Sequence, residues 1–432
     1  MQQSTAYFHQ YVKEHARQQQ LVVQPRMGFS DRSKMRFGLS EVKRLDAPTI
    51  GTITLDSFTR SGDFHSAARA VAEGMQLNGY PIVSYPREEN MQLIEGLREP
   101  GFPVQIRHGS PLPVEIFKAT INAGIDAIEG GPISYCFPYG RIPLARSMEA
   151  WRTCCQLFGA ASDDPWHIES FGGCMMGQLC PPAILIAITI AEAIFMIRNG
   201  VKSYSLSLAQ GTHTSQDVAA LHALRQLGLK YLGPQSDWHI VFYTFMGKFP
   251  QSYHGARALI EESARAAVKG GAERLIVKTV KEAHQIPLIE DNLNSLAWCH
   301  QAATAERQRS GLPEGVAAWT AQIYEEADFL IDLLLNLDSD LEKSMAKAFK
   351  RGYWDVPYCL HPDNRRLTGA QLDEAGFIYW SDPGKMPFTG HIRNNAVRRK
   401  KQLSSGELLH MLSFNQQKYD GLYIPEEQLS TP

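Results

Sequence analysis

The chain has 432 residues, 44% of them hydrophobic, 20% charged and 10% aromatic, enough apolar material for a sizeable core and too much for a disordered chain. Its 43 basic and 45 acidic residues leave a formal charge of −2, which argues against a general nucleic-acid binder, because neutralising phosphates needs a basic excess. Seven cysteines at spacings that fit no zinc framework, and a first stretch, MQQSTAYFHQYVKEHARQQQ, without an apolar signal core, lead to the expectation of a cytoplasmic protein with reduced thiols.

Between Leu21 and Thr279, short apolar and β-branched runs alternate with longer stretches of helical periodicity. The runs are Leu21–Val23, Thr52–Leu55, Pro81–Tyr85, Val104–Ile106, Ala127–Ile128, Ser203–Leu208, Ile240–Phe245 and Leu275–Val277, with His167–Ser170 a weaker ninth. Helices are expected at segments such as Ser66–Leu77 and Ala256–Lys269, the latter closed by Gly270-Gly271. Strand and helix in alternation imply parallel pairing through right-handed crossovers, and this many units predict an α/β fold, a (β/α)8 TIM barrel over residues 1–287. One of the nine runs then lies outside the barrel. The absence of Gly-x-Gly-x-x-Gly after the first strand weakens a dinucleotide-binding alternative. Pro181–Ile197 is almost wholly apolar, yet it is short for a bilayer span, contains Glu192, and has prolines at its start and Asn199-Gly200 at its end. It reads as a buried core helix, not a membrane segment. Residues 288–432 form a C-terminal region packed on the barrel, helical over Ala317–Lys350 and irregular from Arg351.

The chemistry lies in the residues directly after each run, since loops after barrel strands form the catalytic rim. The first run leads into Gln24-Pro25-Arg26-Met27-Gly28 and the second into Asp56-Ser57-Phe58-Thr59-Arg60. The fourth leads into Arg107-His108-Gly109, and the fifth into Glu129-Gly130-Gly131 with Tyr135, Pro138 and Tyr139 close behind. Three arginines thus end three strands and should converge on one mouth. A guanidinium is always charged and its fork matches a carboxylate, so three of them call for a ligand with several anionic oxygens, a dicarboxylate or a phosphate. Gly28, Gly109, Gly130 and Gly131 would let that ligand approach the backbone. Glu129, held ionised among arginines, could receive a substrate ammonium or act as a base. Each of these residues alone has a plainer reading, as a surface arginine, a salt-bridge partner or a packed histidine. Together they point to a barrel enzyme for a small multi-anionic substrate.

The same residues carry a family resemblance. QPRMG at 24–28, DSFTR at 56–60, LNGYP at 77–81, QIRHGSP at 105–111, EGGPISYCFPYG at 129–140, MGKFPQ at 246–251 and LIVKTVKEAHQIP at 275–287 resemble, in order and spacing, the E (epsilon, large) subunit of glutamate mutase, also called methylaspartate mutase. The likeness thins after Pro287 and resumes weakly at Asp355-Val356-Pro357 and Pro387-Phe388-Thr389. It implies a (β/α)8 barrel and an adenosylcobalamin-dependent isomerase that interconverts L-glutamate and (2S,3S)-3-methylaspartate by a radical route. Under it, Arg26, Arg60 and Arg107 fall on the clamp for the substrate carboxylates, beside His108. Glu129, the catalytic candidate, falls on the contact to the amino group, and Tyr135 and Tyr139 on two further substrate contacts. Gly28, Asn78, Pro138, Phe249, Lys278, Glu282 and Ile286 fall on positions lining adenosylcobalamin, with Lys278 and Glu282 toward the adenosyl ribose.

Some features depart from the family pattern. Cys174-Met175-Met176 stands where a Leu-Thr pair is expected, the segment before Arg26 is shorter, and the spacing from Arg60 to Asn78 is contracted. The cobalt-ligating motif Asp-x-His-x-x-Gly is incomplete at both Asp63-Phe64-His65 and Asp237-Trp238-His239. The resemblance therefore implies a separate cobalamin-binding small (S, sigma) subunit carrying that motif, with a homodimer of large subunits inside a heterotetramer, and neither nucleic acid nor membrane as partner. No metal site is expected in this chain, which has no His-Glu-x-x-His. The alternatives are a mutase for another amino dicarboxylate, a cobalamin-independent barrel lyase or hydrolase, and a non-catalytic barrel partner protein.

Overall fold

Strands that carry Val, Ile and Leu without alternation are buried on both faces, which suits a parallel sheet wrapped by helices. In the computed structural model, which describes residues 7–97, 101–138, 140–177, 179–390, 392–393 and 403–422, eight such strands form one parallel sheet. They are β1 (Val22–Pro25), β2 (Gly51–Thr54), β3 (Val104–Arg107), β4 (Ala127–Glu129), β5 (His167–Glu169), β6 (Ser203–Ala209), β7 (Asp237–Tyr243) and β8 (Arg274–Val277). Each pairs with its sequence neighbours from β2 to β8, and β8 returns to β1 with Val22 opposite Arg274. Parallel bridging of Val23 with Thr49, with Val23 N–H donating to Pro48 O (2.9 Å), closes the ring between β1 and β2. The (β/α)8 barrel is the fold of this chain.

The run left outside is Pro81–Tyr85. Pro81 has no N–H for a ladder, and the segment turns, with Ser84 N–H donating to Pro81 O (2.9 Å). Tyr80, just before the run, bridges Leu55 at the end of β2. The weak ninth run, His167–Ser170, is the genuine strand β5. The helix expected at Ser66–Leu77 is shorter, Phe64–Ala72, capped by Asp63, whose side chain accepts from Ser66 N–H.

Helix α1 (Phe8–Arg17) plugs the N-terminal end of the barrel. Phe8 is fully buried, stacks on His167 at 4.7 Å and lies under the Arg274 guanidinium at 5.0 Å. Its N–H donates to Asp126 (2.8 Å). At the other side of the molecule, the apolar run is helix α8 (Pro182–Arg198), buried almost throughout. It is apolar all round because both sides are covered: β6 lies beneath it, while α9 (Thr214–Leu232) and α12 (Val316–Leu335) lie against it. No helix among the described residues is long and apolar enough to cross a membrane.

The remaining barrel helices include α2 (Arg32–Arg44), α3 (Ser57–Ser61), α4 (Phe64–Ala72), α5 (Arg87–Ile94), α6 (Val114–Asn122), α7 (Leu144–Gly159) and α10 (Tyr253–Gly270). Helix α11 (Ile289–Arg307) comes after β8 and packs on α10, α2 and β1. After α12 and α13 (Leu341–Arg351), the region expected to be irregular contains an antiparallel pair, β9 (Gly369–Leu372) with β10 (Ile378–Asp382), and α14 (Ser405–Asp420). These elements are fastened to the barrel. Trp380 Nε1 donates to Glu326 (3.1 Å), Gln216 exchanges hydrogen bonds with Ile378, and Asp420 accepts from Gln251 and Ser252 N–H at the start of α10.

Candidate active site

All eight strands point their C-terminal ends to one mouth, and a cavity of about 530 Å³ opens there. Arg26, directly after β1, Arg60 on α3, Arg107 as the last residue of β3, His108, Glu129 as the last residue of β4, and Tyr135 all line it. Arg60 does not end a strand as the sequence suggested. Asp56 caps α3 by accepting from Phe58 and Thr59 N–H, and this turn brings Arg60 back over the mouth, its Nε donating to Asp56 O (3.3 Å). Met246, Phe171, Ser57 and a fourth arginine, Arg141, are also among the lining residues.

Glu129 is engaged on both oxygens. Arg107 Nε donates to Oε2 (2.6 Å), Tyr243 OH also donates to Oε2 (3.0 Å), and Tyr135 OH donates to Oε1. Arg107 and Glu129 are 4% and 1% exposed, so this is a desolvated ion pair. Burial works against the guanidinium charge, but Glu129, Tyr243 and Tyr135 outweigh it and hold Arg107 firmly protonated. Below this layer the barrel interior is polar where barrels are usually aliphatic. Tyr243 OH also reaches Glu169, which accepts from Arg274 and from Gln105 Nε2 (3.2 Å), while Arg274 donates to Gln24 (2.6 Å) and His239 (3.2 Å). Tyr243, Glu169 and Arg274 escaped the sequence reading. Each sits inside or at the end of an apolar run, and that position was the available signal.

His108 is a neutral imidazole. Burial first, then the charges of Arg60 and Arg107, push its pKa down to about 3. Ser110 N–H donates to Nδ1 (3.1 Å), which leaves the proton on Nε2, and a hydrogen bond to the Glu129 backbone partly offsets the downward shift. Arg26 Nε is buried without a partner among the described residues and is one donor at the cavity available to a ligand.

At the rim beyond β8, Lys278 Nζ pairs with Glu282 Oε1 (2.7 Å) and lies over the Phe249 ring at 5.1 Å. Arg26 is 3.7 Å from the same carboxylate. Burial, though it opposes charge, is outweighed by Lys278 and Arg26, and Glu282 stays below the ordinary carboxyl range. Asn78 accepts from Ser57 N–H (2.9 Å) and so supports the cavity wall. Pro138 is half-buried in the turn after β4, and Ile286 is 64% exposed at the outer rim. Tyr139 lies outside the described residues. The glycines serve mainly protein packing. A Cβ on Gly28 would fall 2.3 Å from Thr54 O, those on Gly130 and Gly131 would meet Tyr135 and Glu192, and one on Gly109 would meet only Arg60 Cδ, at 3.8 Å.

The sequence profile of the Methylaspartate mutase E chain (MutE) family matches residues 3–409. The chain is similar to the glutamate mutase epsilon subunit of Desulfitobacterium hafniense (strain Y51), 32% identical over 354 residues, which covers 79% of this chain and 72% of that protein. It is also similar to the glutamate mutase epsilon subunit of Yersinia enterocolitica serotype O:8, 31% identical over 348 residues, 77% of this chain and 72% of that one. Among solved structures, a truncated 3-deoxy-D-arabino-heptulosonate 7-phosphate synthase from Thermotoga maritima aligns at 12% identity and a TM-score of 0.37, covering 67% of this chain and 86% of that chain.

Proposed function

The chain belongs to the methylaspartate mutase E chain family, and on that premise we propose that it is the catalytic large subunit of a cytoplasmic adenosylcobalamin-dependent mutase interconverting L-glutamate and (2S,3S)-3-methylaspartate. One observation carries this reading: three guanidiniums from three separate segments and the Glu129 carboxylate line a single cavity. Two carboxylates and one ammonium at fixed separations are the complement of that set. Arg26, Arg60 and Arg107 take the carboxylates by forked contacts, and Glu129 takes the ammonium. His108, neutral and on the cavity wall, packs beside them. Tyr135 completes the substrate wall, and Tyr139 is assigned a substrate contact by the family pattern alone.

The residues present fit the cofactor's adenosyl end. Lys278 and Glu282, a donor and an acceptor side by side at the rim, suit a ribose diol. Gly28, Asn78, Pro138, Phe249 and Ile286, which do not line the cavity itself, are assigned to the same cofactor by the family pattern. When bound, adenosylcobalamin supplies a 5′-deoxyadenosyl radical for hydrogen-atom exchange with the substrate. This chain's part is to anchor both ends of the substrate so that a cleaved fragment cannot diffuse, and to keep water from the reacting carbons. Because Asp-x-His-x-x-Gly is incomplete in this sequence, the lower cobalt ligand is assigned to a small S subunit that carries the motif, in a heterotetramer built on a homodimer of large subunits.

The purified chain, mixed with such a subunit and adenosylcobalamin, is expected to convert glutamate to methylaspartate, and to do so poorly without the subunit. Arg107→Lys keeps the charge but loses the fork, and kcat/KM should fall at least about 100-fold. Unchanged turnover in that variant would sink the clamp, and full activity of the lone chain would sink the two-subunit reading.

A further inference from the structure

Helix α8 is the most apolar helix of the chain, and one fully buried carboxylate stands in it. Glu192 Oε1 accepts from Ile133 N–H (2.9 Å) and Ser134 N–H (2.8 Å), and Oε2 from the hydroxyls of Ser134 (3.0 Å) and Ser170 (2.7 Å). A Cβ on Gly131 would come within 2.2 Å of this carboxylate, so the loop backbone lies directly on it. Both segments it grips carry the site. Tyr135, next to Ser134, donates to Glu129, and Phe171, next to Ser170, lines the cavity.

We propose that Glu192 is a positioning residue. From outside the barrel, its carboxylate holds the 133–134 backbone and the Ser170 hydroxyl so that Tyr135 and Phe171 are set against Glu129 and the bound amino acid. The identity of that amino acid rests on the mutase reading; the anchoring does not.

An ionised carboxylate with no cation is a costly thing to bury, and stability alone would favour a neutral polar group in its place. Burial raises the Glu192 pKa to about 7, although the four donors pull it down. The folded state thus favours the protonated form, and this group's cost to stability grows as pH rises from the ordinary carboxyl value of 4.5 to about 7 and then levels off. The charge-assisted bonds that hold the loop exist only in the ionised form, and such bonds are roughly twice as strong as neutral ones. Stability and site order therefore move in opposite directions with pH, which a carboxyl retained for structure would not produce. The neighbours that act on it are the Ile133 and Ser134 amides, the Ser134 and Ser170 hydroxyls and, from α7, the Cys155 thiol, itself pushed up by burial and by Glu192. Thr189, on α8 itself, donates to Ser170 Oγ (2.9 Å).

The test compares wild type, Glu192→Gln and Gly131→Ala from about pH 4.5 to about pH 8.5, a range that spans the window between the ordinary and the raised carboxyl values. Turnover is measured on the complex with the small subunit, and thermal unfolding and amide exchange at Ile133 and Ser134 on the large chain. In wild type, kcat/KM should fall as pH drops through about 7, and Tm should rise as pH drops from about 7 to about 4.5. Glu192→Gln should flatten both trends, with a higher Tm than wild type at pH 8 and kcat/KM about tenfold lower, carried by KM. Gly131→Ala, which displaces the carboxylate, should speed exchange of both amides. Wild-type turnover with a wild-type pH profile in Glu192→Gln overturns the proposal, and so does a Gln variant that is less stable at pH 8 or fails to fold. If the wild-type complex shows no mutase activity, the functional reading falls, while unfolding and exchange still decide the role of Glu192.

Discussion

Lys278 shows how much a single residue's surroundings decide. The side chain is 5% exposed beside Glu282, and burial followed by the charge of Arg26 lowers its pKa to about 8. Because the fold favours the neutral amine, the ammonium that pairs with Glu282 is present below about pH 8 and lost above it. The stability term has the opposite sense: the folded state gains on the unfolded one as pH climbs from about 8 toward the ordinary lysine value near ~10.4. Turnover should accordingly decline as pH rises through about 8. Lys278→Arg, which stays charged, should carry that limb beyond about pH 9, at a lower plateau. A pH–rate profile with its basic limb unmoved in the variant would remove Lys278 from the cofactor rim. The sequence could place Lys278 and Glu282 four apart beyond a strand; how far water is excluded from them depends on Phe249 and Arg26, which come from other loops.

At the level of elements, helix α1 is the least expected contributor. Nothing in its sequence marks it as a plug, yet Phe8 fills the barrel bottom against His167 and Arg274, beneath the polar network that leads up through Glu169 and Tyr243 to Glu129. Phe8→Ala leaves a cavity and uncovers buried polar groups, and should cost about 3–5 kcal/mol. Denaturant unfolding measures it, and KM for the substrate should change little in the folded fraction, because Arg26, Arg60 and Arg107 sit at the opposite mouth. A cost under about 1 kcal/mol would mean that α1 is only draped over the barrel end. The strand runs were legible because β-branched residues cluster in buried parallel strands. Pro81–Tyr85 misled for the same reason: it is apolar and buried, but a proline and a turn keep it out of the ladder.

For the whole molecule, the C-terminal region is part of the site's support. Cys359 Sγ donates to Phe137 O (3.5 Å), His361 stacks on Phe137 at 4.5 Å and bonds Ile142 O (2.9 Å), and Asp363 accepts from Leu144 N–H (2.8 Å) at the start of α7. These contacts brace the loop that carries Tyr135 and Arg141. Trp354, fully buried, donates to Leu330 O (3.0 Å) on α12, which in turn covers α8 and α9. A chain cut after Arg351 should therefore fail to give a soluble, cooperatively unfolding barrel, as assessed by gel filtration and thermal melts. A stable truncated barrel with wild-type Tm would show the region to be dispensable.

By itself, the sequence determined the alternation that makes a barrel, the identity of α8 as an interior helix, and the three arginines and Glu129 as the charged cargo of its rim. Those come from local periodicity and from the rule that strand ends share one mouth. The tertiary structure alone decided that Arg107 and Glu129 form a buried pair, that His108 is neutral, that the interior beneath them is polar, and that Glu192 reaches the site from outside. Each of these depends on which distant side chains meet and how much water they exclude, and neither is written in the spacing of residues along the chain.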